Sequence, residues 1–152
     1  MTKERPRKIV PPFWMLACMA LAWLLNRYVP LAPLPFAFVP LLGRSLAALG
    51  LLCALWPLLQ FFAARTGIVP FSEARTLVTG GLYRVTRNPM YLGLTLMLAG
   101  YGLMLGSVGA LLPVPLFPWI IQKRFIEGEE RFLEAAFGEE YRDYRRRVRR
   151  WL

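Results

Sequence analysis

Apolar residues in this chain come in long unbroken runs, without the strict alternation of a membrane barrel, and the runs are rich in Leu and Ala, so the pattern predicts helices. Residues 9–26 carry no charge and give a first span over 12–28. Between 29 and 40, four prolines (Pro30, Pro33, Pro35, Pro40) forbid a regular helix and mark a connection on the far side. A second span follows over 41–64, with Arg44 near its start able to snorkel to the interface. The stretch 65–87 holds Gly67, Pro70, Gly80 and Gly81 as breakers and Arg65, Arg75, Arg84 and Arg87 as charges, which predicts a loop large enough to carry function. Residues 88–122 are again uncharged. At a helical rise of about 1.5 Å per residue they are too long for one ordinary crossing. Gly106-Ser107-Val108-Gly109 supplies a turn, so the run is read as a short hairpin of spans 89–105 and 110–126, its second arm interrupted by Pro113, Pro115 and Pro118. Gly102 and Gly106 add a small-residue spacing, read as a close helix contact.

Beyond 126 the pattern changes. Leu133, Phe137, Tyr141, Tyr144, Val148 and Trp151 recur at helical spacing, predicting one amphipathic helix over 127–150. Its first half is acidic and its last turns are rich in arginine, an order that suits the helix dipole. At the other end of the hairpin, Pro89 fits a first helical position and pushes Asn88 towards the extended conformation of an N-cap. Asn88 is therefore expected to cap the helix through its side chain. Arg87 beside that positive helix end would attract a carboxylate or another electron-rich group.

Composition sharpens the class. The chain has 152 residues, 57% of them hydrophobic, a formal charge of +10 and no histidine. The reading is an all-α integral membrane protein of one domain, 1–152, in a bacterial or archaeal-type cell membrane. Of nineteen cations, only Arg27 and Arg44 lie outside the first eight residues, the 65–87 loop and the segment from Lys123 onward. That asymmetry predicts that both termini and the loop are cytosolic, which agrees with four spans. The basic excess at the C-terminal helix is assigned to anionic headgroups of membrane lipids, with no nucleic-acid partner. Cys18 and Cys53 sit inside apolar runs without ligand spacing, so no metal site is expected. The first run is longer than a signal-peptide core and lacks a convincing cleavage site, and is read as retained.

Three stretches carry a family resemblance: Leu77-Val78-Thr79-Gly80-Gly81-Leu82-Tyr83-Arg84; Arg87-Asn88-Pro89-Met90-Tyr91-Leu92-Gly93; and Glu129-Glu130-Arg131-Phe132-Leu133 with Phe137-Gly138-Glu139-Glu140-Tyr141-Arg142-Asp143-Tyr144. Together they resemble the isoprenylcysteine carboxyl methyltransferases and their phospholipid methyltransferase-like relatives, over about half the chain. The resemblance implies an integral membrane methyltransferase using S-adenosylmethionine. It implies cofactor contacts at Thr76, Leu77, Val78, Tyr83, Asn88, Pro89, Met90 and Tyr91, with Glu129 as the acidic ligand. Asn88 stands where the eukaryotic enzymes have histidine, Phe125 where they have an arginine associated with the methyl acceptor, and Leu82 in place of a frequent proline. The change at 125 leaves prenylcysteine an open choice of acceptor.

The chemistry is compatible with this residue set. Methyl transfer from a sulfonium is an in-line displacement, so the protein has to align donor and acceptor and exclude water. Glu129 can accept from the cofactor's ammonium or ribose hydroxyls, and the helix start can meet its carboxylate or adenine. Arg87 and Glu130 are the candidates for a catalytic role. The acceptor is expected to be lipophilic: the carboxyl of an isoprenylcysteine-like compound or a related lipid, with phospholipid amine or thiol transfer as the alternative. Readings of another class are a nicotinamide-dependent membrane reductase and a non-catalytic lipid-binding adaptor. No glycine-rich strand-to-helix motif is present, which excludes a Rossmann-type methyltransferase.

Overall fold

The computed structural model describes residues 10–63 and 77–152. Thr76, and all of the 65–87 loop before Leu77, therefore lie outside the described residues, as do the basic residues before Val10. The described chain is helical, in agreement with the all-α reading. Helix α1 spans Pro11–Tyr28 and α2 spans Val39–Ala63; each begins beside a proline, which fits a first turn because its missing amide would have no partner there. A 3-10 turn, Gly81–Arg84, leads to α3, Pro89–Leu105. After a second 3-10 turn, Gly109–Leu111, come α4 (Pro113–Ile121), a π turn (Gln122–Ile126), α5 (Glu127–Phe137) and α6 (Glu139–Arg147). By length and composition, α2 is the helix among the described residues able to cross a membrane, over Val39–Pro57, while α3 is a shorter apolar helix.

Helices α2 and α3 touch backbone to backbone. A methyl added at Gly93 would sit 2.5 Å from the Ala54 nitrogen and the Gly50 oxygen, and one added at Gly100 would sit 2.4 Å from the Gly43 oxygen. The seam is built from Gly43, Ala47, Gly50 and Ala54 against Gly93 and Gly100, small residues repeated every three or four positions on α2 and every seven on α3. The close contact expected from the Gly102 and Gly106 spacing takes another form. Gly102 meets the Ala110 carbonyl within the hairpin's own turn, and Gly106 ends α3 in the left-handed conformation (φ 79°) with open space around it.

That turn pairs with the proline-rich connection. The Leu34 amide donates to the Gly106 oxygen (2.8 Å), the Val108 amide to the Ala32 oxygen (2.9 Å) and the Gly109 amide to the Pro30 oxygen (2.9 Å). Both predicted far-side connections thus lie together at one end of the bundle. At the opposite end, the Arg124 guanidinium lies 4.8 Å from the Trp14 ring at the start of α1.

Two boundaries differ from the sequence reading. No break falls at 127: the hairpin's second arm, expected over 110–126, runs on through the π turn into α5. The break comes instead at Gly138 (φ 53°, ψ −119°), so the helix expected over 127–150 is two helices followed by Val148 in extended conformation. The reason lies in the packing. Leu133 and Phe137 on α5 converge with Tyr141, Tyr144 and Val148 on a single apolar cluster, so the stripe keeps helical spacing through a bend that only glycine adopts easily.

Candidate functional site

The site lies where α3 begins. Thr86 is buried, and its hydroxyl both accepts from the Asn88 amide (3.1 Å) and donates to the Arg150 carbonyl (3.0 Å). Pro89 starts the helix and the Asn88 carbonyl accepts its first bond, from Leu92, at 2.9 Å. The expected side-chain cap does not form. Asn88 turns its amide to the Arg150 carbonyl instead (2.9 Å), because the segment after α6 folds back across the loop and presents that acceptor. The α3 amides are thus left without a side-chain cap, and the positive end of a seventeen-residue helix is available to an anionic or electron-rich group.

Arg87 and Glu130, the two residues singled out for catalysis, form a clamp. The Arg87 amide donates to the Arg149 oxygen (2.9 Å), and its guanidinium meets Glu130 Oε1 at 3.0 Å and the Tyr141 hydroxyl at 3.2 Å. Arg150 forks the same carboxylate, Nε to Oε1 at 2.9 Å and Nη2 to Oε2 at 2.7 Å. Side-chain exposure is 9% for Arg87 and 12% for Glu130, so this pair is largely desolvated, while Arg150 keeps about a third of its side chain exposed. Both oxygens of this carboxylate are thus engaged by guanidiniums, and this geometry suits Glu130 to positioning.

Glu129, one residue earlier on α5, faces a different neighbour. The Tyr91 hydroxyl donates to its Oε1 at 2.6 Å. Burial raises the Glu129 pKa, the Tyr91 bond pulls it back, and the Glu130 charge adds to the rise. Tyr83 lies close enough that the Glu129 charge helps, behind burial and Tyr144, to raise its phenol. The Tyr144 hydroxyl donates to the Tyr83 carbonyl at 2.7 Å, fastening α6 to the 3-10 turn, and Leu77 packs on the same tyrosine cluster. Val78 and Met90 are half-buried, and Pro89 is fully buried.

The structure therefore gathers Tyr83, Asn88, Pro89, Tyr91 and Glu129 at one end of the bundle, with Leu77 against the tyrosines beside them. Phe125, at the position of the missing arginine, is buried in the apolar core. Sequence reading missed Thr86 and Arg150. Arg150 was placed on a lipid-facing helix end; since α6 stops at Arg147, helical spacing assigns it to the wrong surface. The donor and acceptor set fits S-adenosylmethionine: a half-buried carboxylate for its ammonium or ribose hydroxyls, an uncapped helix start for its carboxylate or adenine, and apolar side chains along the approach.

An open cleft of about 390 Å³ adjoins this end, lined by Thr95 of α3, Pro118, Trp119 and Gln122 of α4 and the π turn, and Trp151.

Comparison with known proteins bears on the family and the fold. The profile of the phospholipid methyltransferase family matches residues 38–140. An uncharacterised Haemophilus influenzae protein is 48% identical over 63 residues, 41% of this chain and all of its own length. The protein-S-isoprenylcysteine O-methyltransferase of Schizosaccharomyces pombe is 35% identical over 72 residues, 47% of this chain but only 30% of that enzyme. Among solved structures, the eukaryotic intramembrane Ras methyltransferase, an isoprenylcysteine carboxyl methyltransferase, shares the fold with a TM-score of 0.65 at 22% identity, over 90% of this chain and 50% of that one. The family profile, matched over most of the chain and in accord with the shared helical fold, places the chain in the phospholipid methyltransferase family of S-adenosylmethionine-dependent membrane enzymes.

Proposed function

We propose that this protein transfers the methyl group of S-adenosylmethionine to a lipophilic acceptor at the cytosolic face of a membrane. The observation that carries the reading is Glu129, a half-buried carboxylate with a raised pKa, held by Tyr91 at the uncapped start of an apolar helix. Bound there, the cofactor would supply an electrophilic methyl, while Glu129 and the α3 amides fix its polar groups and Pro89 and Leu77 help exclude water. A carboxylate acceptor is ionised at neutral pH and needs no base. An amine or thiol acceptor would have to lose a proton, whereas a carboxylate asks nothing of Glu130, whose oxygens are engaged by Arg87 and Arg150. The reading is tested by titrating purified protein with S-adenosylmethionine and with NADPH. Binding of the first alone supports it, binding of NADPH alone would make the protein a reductase, and binding of neither would leave a lipid-binding adaptor.

The topology proposed is four crossings, by α1, α2, α3 and the α4–π-turn arm, with both termini cytosolic. The pairing of residues 30–34 with 106–109 at one end, and of Arg124 with Trp14 at the other, supports it. Exposed Arg142, Arg145, Arg146, Arg147 and Arg149 would face anionic headgroups on the cytosolic side, several also paired with Glu134, Glu139 or Asp143. Ser107 is buried, so the accessible far-side position is Val108. In a background with Cys18 and Cys53 replaced, Thr79→Cys and Val108→Cys should react with an impermeant thiol reagent from opposite sides of the membrane; labelling from one side would contradict the topology.

A further inference from the structure

The cleft between α3 and α4 shows a combination of features that the cofactor site does not use. Three of its polar lining atoms are already engaged: the Thr95 hydroxyl donates to the Tyr91 carbonyl (2.9 Å), and the Trp151 indole donates to Gln122 Oε1 (3.2 Å). The rest of the lining is mainly two indole surfaces and a proline, which suits hydrocarbon. The volume, about 390 Å³, lies in the range of small-molecule sites. The outer face of α4 beside it is apolar and exposed at Leu116 and Trp119, as is Leu112 just before the helix, so in a bilayer the cleft opens onto lipid. Its inner end reaches the cofactor side, because Thr95 stands about one helical turn along α3 from Tyr91, the residue bonded to Glu129.

Two irregular features shape the cleft. The π turn at Gln122–Ile126 widens the helix where Gln122 reaches Trp151, and such turns recur at functional positions. Trp151 belongs to the extended segment after α6 that is fixed to the α3 start by the Arg149 and Arg150 carbonyls. It also packs against the core cluster that contains Tyr91 and Phe125.

We propose that this cleft holds the single apolar chain of the methyl acceptor and that Trp151, latched to Gln122, is the specificity-determining residue that limits the bulk of that chain. The proposal rests on the methyltransferase reading for the identity of its ligand as acceptor, but occupancy of the cleft by an alkyl chain can be measured without it. Trp151 closes the cleft from the side of the cofactor loop, so replacing the indole by a methyl lengthens the space available, whereas filling the Thr95 side shortens it.

Diazirine-tipped fatty acids of medium and long chain, photolysed with the full-length protein in detergent, test this by mass-spectrometric mapping of the adducts. Saturable labelling of Thr95, Trp119 or Trp151 by the medium chain is expected. Thr95→Leu should weaken it about ten-fold with S-adenosylmethionine affinity unchanged, and Trp151→Ala should shift saturable labelling towards the long chain. Trp151→Phe, which keeps an aromatic wall but loses the bond to Gln122, guards against misfolding of the alanine variant and should give an intermediate chain preference. Uniform, non-saturable labelling over α1, α2 and α4 in a protein that binds S-adenosylmethionine would overturn the cleft assignment. Chain preference unchanged in both Trp151 variants would overturn the role of Trp151. Saturable cleft labelling in a protein that does not bind the cofactor would leave the cleft in place and remove the methyltransferase reading.

Discussion

Gly93→Leu is expected to abolish the folded protein. In an exposed helix, replacing glycine by leucine gains several tenths of a kcal/mol of helix propensity. Here the added Cβ alone would lie 2.5 Å from two backbone atoms of α2, the Ala54 nitrogen and the Gly50 oxygen. Backbone cannot rotate away as a flexible side chain can, so α2 and α3 would have to separate along the whole glycine and alanine seam. Overpacking costs typically about 1–3 kcal/mol, and the loss of an entire helix contact costs more, out of a total stability of about 5–15 kcal/mol. Gly106→Ala is the contrasting change. The space around Gly106 is open but its φ is 79°, so the cost is strain at one residue, about 1 kcal/mol. The yield of monodisperse protein and its thermal midpoint in detergent check both. A Gly93→Leu protein melting like wild type would show that the two helices do not meet as described.

Glu130→Ala should be the most damaging single change at the site, costing about 3 kcal/mol of stability. Removing the carboxylate leaves the Arg87 guanidinium, 9% exposed, with the Tyr141 hydroxyl as its remaining side-chain partner among the described residues, and its Nε is already buried without a partner. Arg150, about a third exposed, can recover water, which keeps the loss towards the lower end for a buried pair. Adding Arg87→Leu should restore part of the loss, since the uncompensated charge leaves with it. Glu139→Ala, at a fully solvated pair with Arg142, should leave the melting curve almost unchanged. Equal effects at positions 130 and 139 would reduce the triad to a surface ion pair.

Helical class and the hairpin turn were readable because both are local: charge-free runs, prolines between them, and Gly106-Ser107-Val108-Gly109 at the turn. The same locality explains the errors. Asn88 has the right identity and position for a cap, but an acceptor arriving from Arg150, far along the chain, takes its side-chain amide. Gly138 could have been suspected from its type alone, yet the apolar spacing runs straight through it because both short helices face one cluster. The α2–α3 seam is visible afterwards as Gly43, Ala47, Gly50 and Ala54. Its partner glycines on α3 stand seven apart, so that helix carries no short small-residue signature at the seam, whereas the four-residue pair at Gly102 and Gly106 does not join two long helices. Glu129 and Glu130 are adjacent acids with the same composition-level signature. Only the fold turns one to Tyr91 and the other to two arginines.

The central claim is that Glu129 receives the cofactor. Its most direct test is calorimetric titration of wild-type and Glu129→Gln protein with S-adenosylmethionine. Loss of a charge-assisted bond of about 1.5–3 kcal/mol predicts affinity weakened about ten- to one-hundred-fold in the variant. Because burial raises the Glu129 pKa and the bond requires the ionised form, wild-type affinity should also fall as the pH is lowered, starting above the range of an ordinary carboxylate. The Gln variant should lack that dependence. S-adenosylmethionine binding of equal strength and equal pH dependence in the two proteins, or no binding to either, would contradict the account.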